Sequence, residues 1–76
     1  MIKYISVIAE MTPDGFPKPL KIVWDSGKIY EIDKILDIRK KASTKGGGAG
    51  LRYLIKLYGQ ERFLFLKDNK WFIEIN

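Results

Sequence analysis

Seventy-six residues without a single Cys or His are expected to form one small domain. That composition excludes a disulfide framework, excludes Ser–His and Cys–His nucleophilic catalysis, and leaves zinc without its usual ligands. The formal net charge is +5 and 46% of residues are apolar, so the core has to come from apolar packing, to which two Trp, four Tyr and four Phe contribute large areas.

The dominant hydrophobic period is two. Residues 2–11 alternate Ile5, Val7, Ala9 and Met11 against Tyr4, Ser6, Ile8 and Glu10, which predicts a long strand. Residues 12–19, TPDGFPKP, hold all three prolines and Asp14-Gly15, and read as a turn-rich loop with Phe16 packed back onto the domain. LKIVWD and KIYEID on either side of Ser26-Gly27 form the clearest hairpin. Residues 33–41 are ambiguous. As a strand they continue the row through Leu36 and Ile38 with a bulge near Asp33–Lys34. As a helix they would be capped by Asp33 and end on Arg39, Lys40 and Lys41. The strand is the preferred reading. Three further runs, 51–58, 62–67 and 70–76, follow as a tight meander.

Short strands with frequent turns predict an all-β fold, a small SH3-like or partly open barrel of five or six antiparallel strands. Trp24, Tyr30, Ile32, Tyr53, Ile55 and Trp71 are its expected core. No run approaches the roughly 18 apolar residues of a membrane helix, and the N-terminus lacks a signal-peptide pattern. A cytoplasmic location without a membrane partner is therefore expected.

Charge is unevenly placed. Residues 34–56 carry Lys34, Arg39, Lys40, Lys41, Lys45, Arg52 and Lys56 against Asp37 alone, and the rest of the chain is close to neutral. In the middle lies RKKASTKGGGAGLRY, residues 39–53. It is not a Walker loop, because Ser43, Thr44 and Lys45 precede the glycines and no Lys follows Gly50. The GxGxxG pattern also fails, since Leu51 and Tyr53 stand where glycine is required. A GxxG between helices fails as well, since strands flank Gly47 and Gly50. The run reads as a slack connection between strands whose amides are open to anions. Ser43 beside Lys41 or Lys45 is the remaining nucleophile–lysine pair, and nothing desolvates it. Glu31, Asp33 and Asp37 are interspersed with Lys28 and Lys34, the pattern of a solvated strand face and not of a hard-cation site.

The pattern W-x-x-G-x-x-Y-x-I-x-x-I-L-D, carried by Trp24, Gly27, Tyr30, Ile32, Ile35, Leu36 and Asp37, resembles that of a group of small, uncharacterised bacterial β proteins. Arg52-Tyr53 and the closing Trp71-Phe72 belong to the same resemblance. It implies an all-β fold and no activity, cofactor or site residues.

The expected function is that of a non-enzymatic binding module without cofactor or metal. Its first expected partner is nucleic acid, gripped by Arg39, Lys40, Lys41, Lys45 and Arg52, with Tyr53 or Tyr58 stacking on a base. The alternative is a protein partner or self-association through a sheet edge or an apolar patch.

Overall fold

The computed structural model describes residues 2–42 and 49–74. Period-two alternation gives strands throughout: β1 (Ile2–Met11), β2 (Pro17–Val23), β3 (Ile29–Glu31), β4 (Lys34–Ala42), β5 (Ala49–Leu57), β6 (Gln60–Lys67) and β7 (Lys70–Glu74). All neighbours pair antiparallel in one sheet of order β3-β2-β1-β7-β6-β5-β4. The sheet curls into a half-barrel.

Seven strands replace the five or six expected, and the reason lies between β3 and β4. These two strands are consecutive in the chain yet form opposite edges of the sheet. The Ile32 N–H donates to the Leu20 carbonyl beside β2 at 3.0 Å, and the next amide, Asp33 N–H, donates to the Lys56 carbonyl of β5 at 2.9 Å. A run that reads as one strand therefore changes partner at Ile32–Asp33 and ties the two edges together. The bulge falls at Leu36, where the register with β5 shifts between Ile35 and Asp37, and not at Asp33–Lys34. Residues 34–42 are strand, so the helical reading of 33–41 is set aside.

β2 begins within the proline loop. Pro17 and Pro19 pair with Met11 and Ala9 of β1, on a stretch of β2 where β3 has not yet begun. Proline tolerates this position because its missing N–H would face no partner. The Thr12–Phe16 turn is closed by the Phe16 N–H on the Asp14 carboxylate at 2.9 Å. Phe16 is half-buried, as its place between two prolines suggested.

Two hairpins close through two-residue turns with positive φ at both positions: Tyr58 (48°) and Gly59 (77°), then Asp68 (52°) and Asn69 (61°). This is the mirror-image turn whose twist matches that of the strands. Gly50 is needed for another reason. A Cβ there would meet the Leu66 carbonyl oxygen at 3.0 Å, so a side chain would press on the β6 backbone.

Residues opposed across strands share a face, and one inward row runs Lys3–Ile73–Leu64–Tyr53–Ile38 across β1, β7, β6, β5 and β4. With Ile22 and Ile55, its centre makes the core: Tyr53, Ile55 and Leu64 are fully buried, Ile22 and Ile73 nearly so. Of the expected core, Tyr53 and Ile55 are buried. Trp24, Tyr30, Ile32 and Trp71 are half-buried and pack around the cluster, because a half-barrel leaves its rim open. Trp71 leans on Tyr53 with ring centroids 5.4 Å apart.

The Tyr53 hydroxyl donates to the Pro17 carbonyl at 2.5 Å, joining β5 to the start of β2. Burial pushes its phenol above the usual tyrosine range, and the charge of Asp14 adds to this. A raised folded pKa stabilises the fold below about pH 10, and that contribution is lost as pH rises through the folded value. Tyr53→Phe should lower stability at neutral pH by about 0.5–1.5 kcal/mol, the worth of one hydrogen bond. Its melting temperature, followed from pH 8 to 11, should fall less steeply than that of the parent. Parallel curves would show that the phenol carries no share of the alkaline loss.

Candidate nucleic-acid interface

The other face of the same strands is offset by one residue. Tyr4, Phe72, Phe65, Arg52 and Arg39 are opposed in turn across β1, β7, β6, β5 and β4. The outward row is thus three aromatic rings followed by two guanidinium groups. Phe65 and Phe72 stack at 5.0 Å with an interplanar angle of 6°, and Tyr4 meets Phe72 edge-on at 5.7 Å. Tyr4 is 61% exposed and the neighbouring Phe63 43%. The Arg52 guanidinium lies 4.6 Å over the Phe63 ring, a cation–π contact that holds the arginine flat against the sheet.

Charges of one sign are set opposite one another on this face. Arg39 opposes Arg52, Lys34 opposes Lys56, and Lys67 opposes Lys70. Like charges directly across a ladder are destabilising. Two partial offsets exist: Glu61 opposes Lys56, and Asp37 pairs with Arg39 at 2.7 Å from Nε to Oδ2. The hydrogen bond from Arg39 holds the Asp37 carboxyl below the usual carboxylate range. No such partner accompanies the Lys67–Lys70 pair among the ion pairs of the described residues.

The residues expected from sequence are divided by this geometry. Arg39 and Arg52 come together as neighbours in one row. Lys40 does not join them, since it opposes Leu51 on the inward side and its ammonium rests 5.8 Å from the Phe16 ring. Lys41 pairs with Gly50 along the backbone. Lys45, like most of the glycine run, lies outside the described residues. Tyr53 is corrected outright: a fully buried ring with its hydroxyl engaged cannot stack on a base. Alternation required this, since Tyr53 sits between the outward Arg52 and Leu54.

Tyr58 is 69% exposed, but it stands at the far end of β5 from the 43–48 connection, roughly 25 Å away for a nine-residue strand. There it meets Tyr30 edge-on at 5.6 Å and, with Ile22, Trp24 and Ile73, lines an apolar groove of about 410 Å³. It cannot share a short ligand with Arg39.

Sequence reasoning missed Tyr4, Phe63, Phe65, Phe72, Lys67 and Lys70. A signal was present in RFLFLK. Leu64 and Leu66 already fill one face, so Phe63 and Phe65 place aromatic rings where a strand of a small domain ordinarily carries polar residues.

Among the described residues no group of three or more acidic side chains is placed to hold a metal ion, and no helix is long and apolar enough to cross a membrane. No family model matches the chain, and searches of curated proteins and of solved structures found no match. Four residues of the resembling pattern, Trp24, Tyr30, Ile32 and Ile35, border the core cluster, and Gly27 takes the positive φ of a turn.

Proposed function

We propose that this chain is a non-enzymatic binding module, a small partly open barrel of the SH3-like kind, that takes single-stranded nucleic acid on its outward sheet face. The observation that carries the reading is the row Tyr4–Phe72–Phe65–Arg52–Arg39, bordered by like-charged pairs. Tyr4 and Phe63 are exposed and Phe65 and Phe72 half-buried; the exposed rings offer stacking surface to unpaired bases, and basic residues beside them neutralise phosphates. Bound phosphate relieves the repulsion within Arg39–Arg52 and Lys67–Lys70, so the strain in the free protein becomes affinity in the complex. A duplex hides its base faces and gains only the charge term, which favours a single strand.

The test is fluorescence anisotropy with a labelled mixed-sequence 12-mer, single-stranded and as a duplex, at low salt. The single strand should bind more tightly. Tyr4→Ala, at the exposed ring of the row, should weaken it by about 5- to 150-fold, the range for one lost base–aromatic stack of roughly 1–3 kcal/mol. Its effect on the duplex should be small. Absence of binding at low salt, or equal binding of single strand and duplex, would remove this reading.

A further inference from the structure

We propose that β4 is a docking edge for an extended acidic segment of a partner protein, which adds to the sheet as a further strand. This inference shares Arg39 with the outward row and needs none of its aromatic rings. It rests on three properties of the edge itself.

The first is an unpaired backbone. β4 is nine residues long and ends the sheet. Among the described residues its backbone hydrogen bonds join it to β5 and to no other segment. A strand with a vacant side is a template for strand addition, in which main-chain hydrogen bonds supply affinity and alternate side chains supply selectivity.

The second is apolar surface left uncovered where the wall of the half-barrel stops. Ile38 opposes Tyr53 on the inward side. Tyr53 is fully buried between β4 and β6, whereas Ile38, with no strand paired beyond it among the described residues, remains 37% exposed, and Leu36 at the bulge 40%. One added strand would cover Ile38 as β4 covers Tyr53.

The third is charge. Within β4, Lys34, Arg39, Lys40 and Lys41 stand against Asp37 alone. Lysines on an edge discourage pairing with a second copy of the same edge. They select instead for a strand of opposite sign. In antiparallel addition, the mode used throughout this sheet, the incoming chain would place two acidic residues opposite Lys40 and Arg39. An apolar residue would follow opposite Ile38, and a basic one opposite Asp37.

The probe is a labelled ten-residue peptide containing Glu-Glu-Ile-Lys, followed by anisotropy against the full chain. Saturable binding is expected, with a loss of at least tenfold when the backbone amides of the Glu-Glu-Ile stretch are N-methylated, a change that leaves the charges in place. The double variant Arg39→Glu/Lys40→Glu should lose the acidic peptide and gain a Lys-Lys-Ile-Lys counterpart, which keeps a basic residue opposite the unchanged Asp37, so a folding defect cannot imitate the result. Tyr4→Ala should leave peptide binding unchanged even if oligonucleotide binding fails, which separates this inference from the nucleic-acid reading. The proposal is overturned if a scrambled or N-methylated peptide binds as well as the original. It is equally overturned if no peptide binds, or if light scattering shows the edge occupied by a second copy of the chain.

Discussion

Leu64→Ala should be among the most damaging single truncations in this protein, costing about 2–5 kcal/mol. Leu64 is fully buried at the crossing of two inward contacts, opposed by Tyr53 on one side and Ile73 on the other. Removing its three terminal carbons leaves a cavity that two flanking strands, fixed by their own ladders, cannot close. Among the described residues five hydrophobic side chains form the buried core, and a domain of this size has a narrow stability margin. In so short a chain each kcal/mol shifts the melting temperature by about 4–8 °C, so thermal unfolding followed by circular dichroism should move down by at least roughly 8 °C. Phe63→Ala, on the outward face of the same strand, should cost about 1 kcal/mol or less. Equal losses for the two variants would mean that the outward aromatic face is packed and not open, with no surface left for a base to stack on. By the same logic Trp71→Ala, half-buried, should fall between the two.

Arg39→Glu combined with Arg52→Glu should have the largest effect on binding. Each arginine that neutralises a phosphate releases counterions, and on a single strand contributes about −0.7 to the log–log dependence of affinity on salt. Losing both should flatten that slope by roughly 1.4 and lower affinity at least tenfold at low salt, where two new carboxylates also repel the strand. Stability should change little, because both side chains lie on the solvent side of the sheet and the Asp37–Arg39 pair is exposed. Asp37→Asn supplies a result of opposite sign. It releases Arg39 from its carboxylate partner and removes the lone acid of residues 34–56, so oligonucleotide affinity should rise several-fold. Titration of binding against salt for the three proteins checks both. An unchanged slope in the double variant, or weaker binding by Asp37→Asn, would place the phosphates elsewhere.

The alternation of side chains determined more of this protein than composition did. Period two in 2–11, 51–58 and 62–67 located these strands to within a few residues and, with them, which residues of each share a face. Gly27 and Asp68-Asn69 fixed two of the turns, because few residues accept the positive φ those turns require. Absence of Cys and His settled which chemistries were closed. Asp37, alone among seven basic residues, already marked 34–56 as a cationic region.

Tertiary structure decided the rest, because the pattern within a strand says nothing of which strand lies beside it. Ile29–Ala42 reads locally as one interrupted strand. Only the curl of the sheet, which brings the Lys56 carbonyl to the Asp33 amide, divides it between opposite edges. Register made Arg39 and Arg52 neighbours and turned Lys40 to the other side. Sequence adjacency had grouped Lys40 with Arg39 and had offered Tyr53 as a stacking ring. The row Tyr4–Phe72–Phe65–Arg52–Arg39 draws on five strands from both ends of the chain. Its members are widely spaced in sequence, so no local motif records it. It exists because cross-strand pairing at a fixed register stacks residues that only long-range hydrogen bonding can bring together.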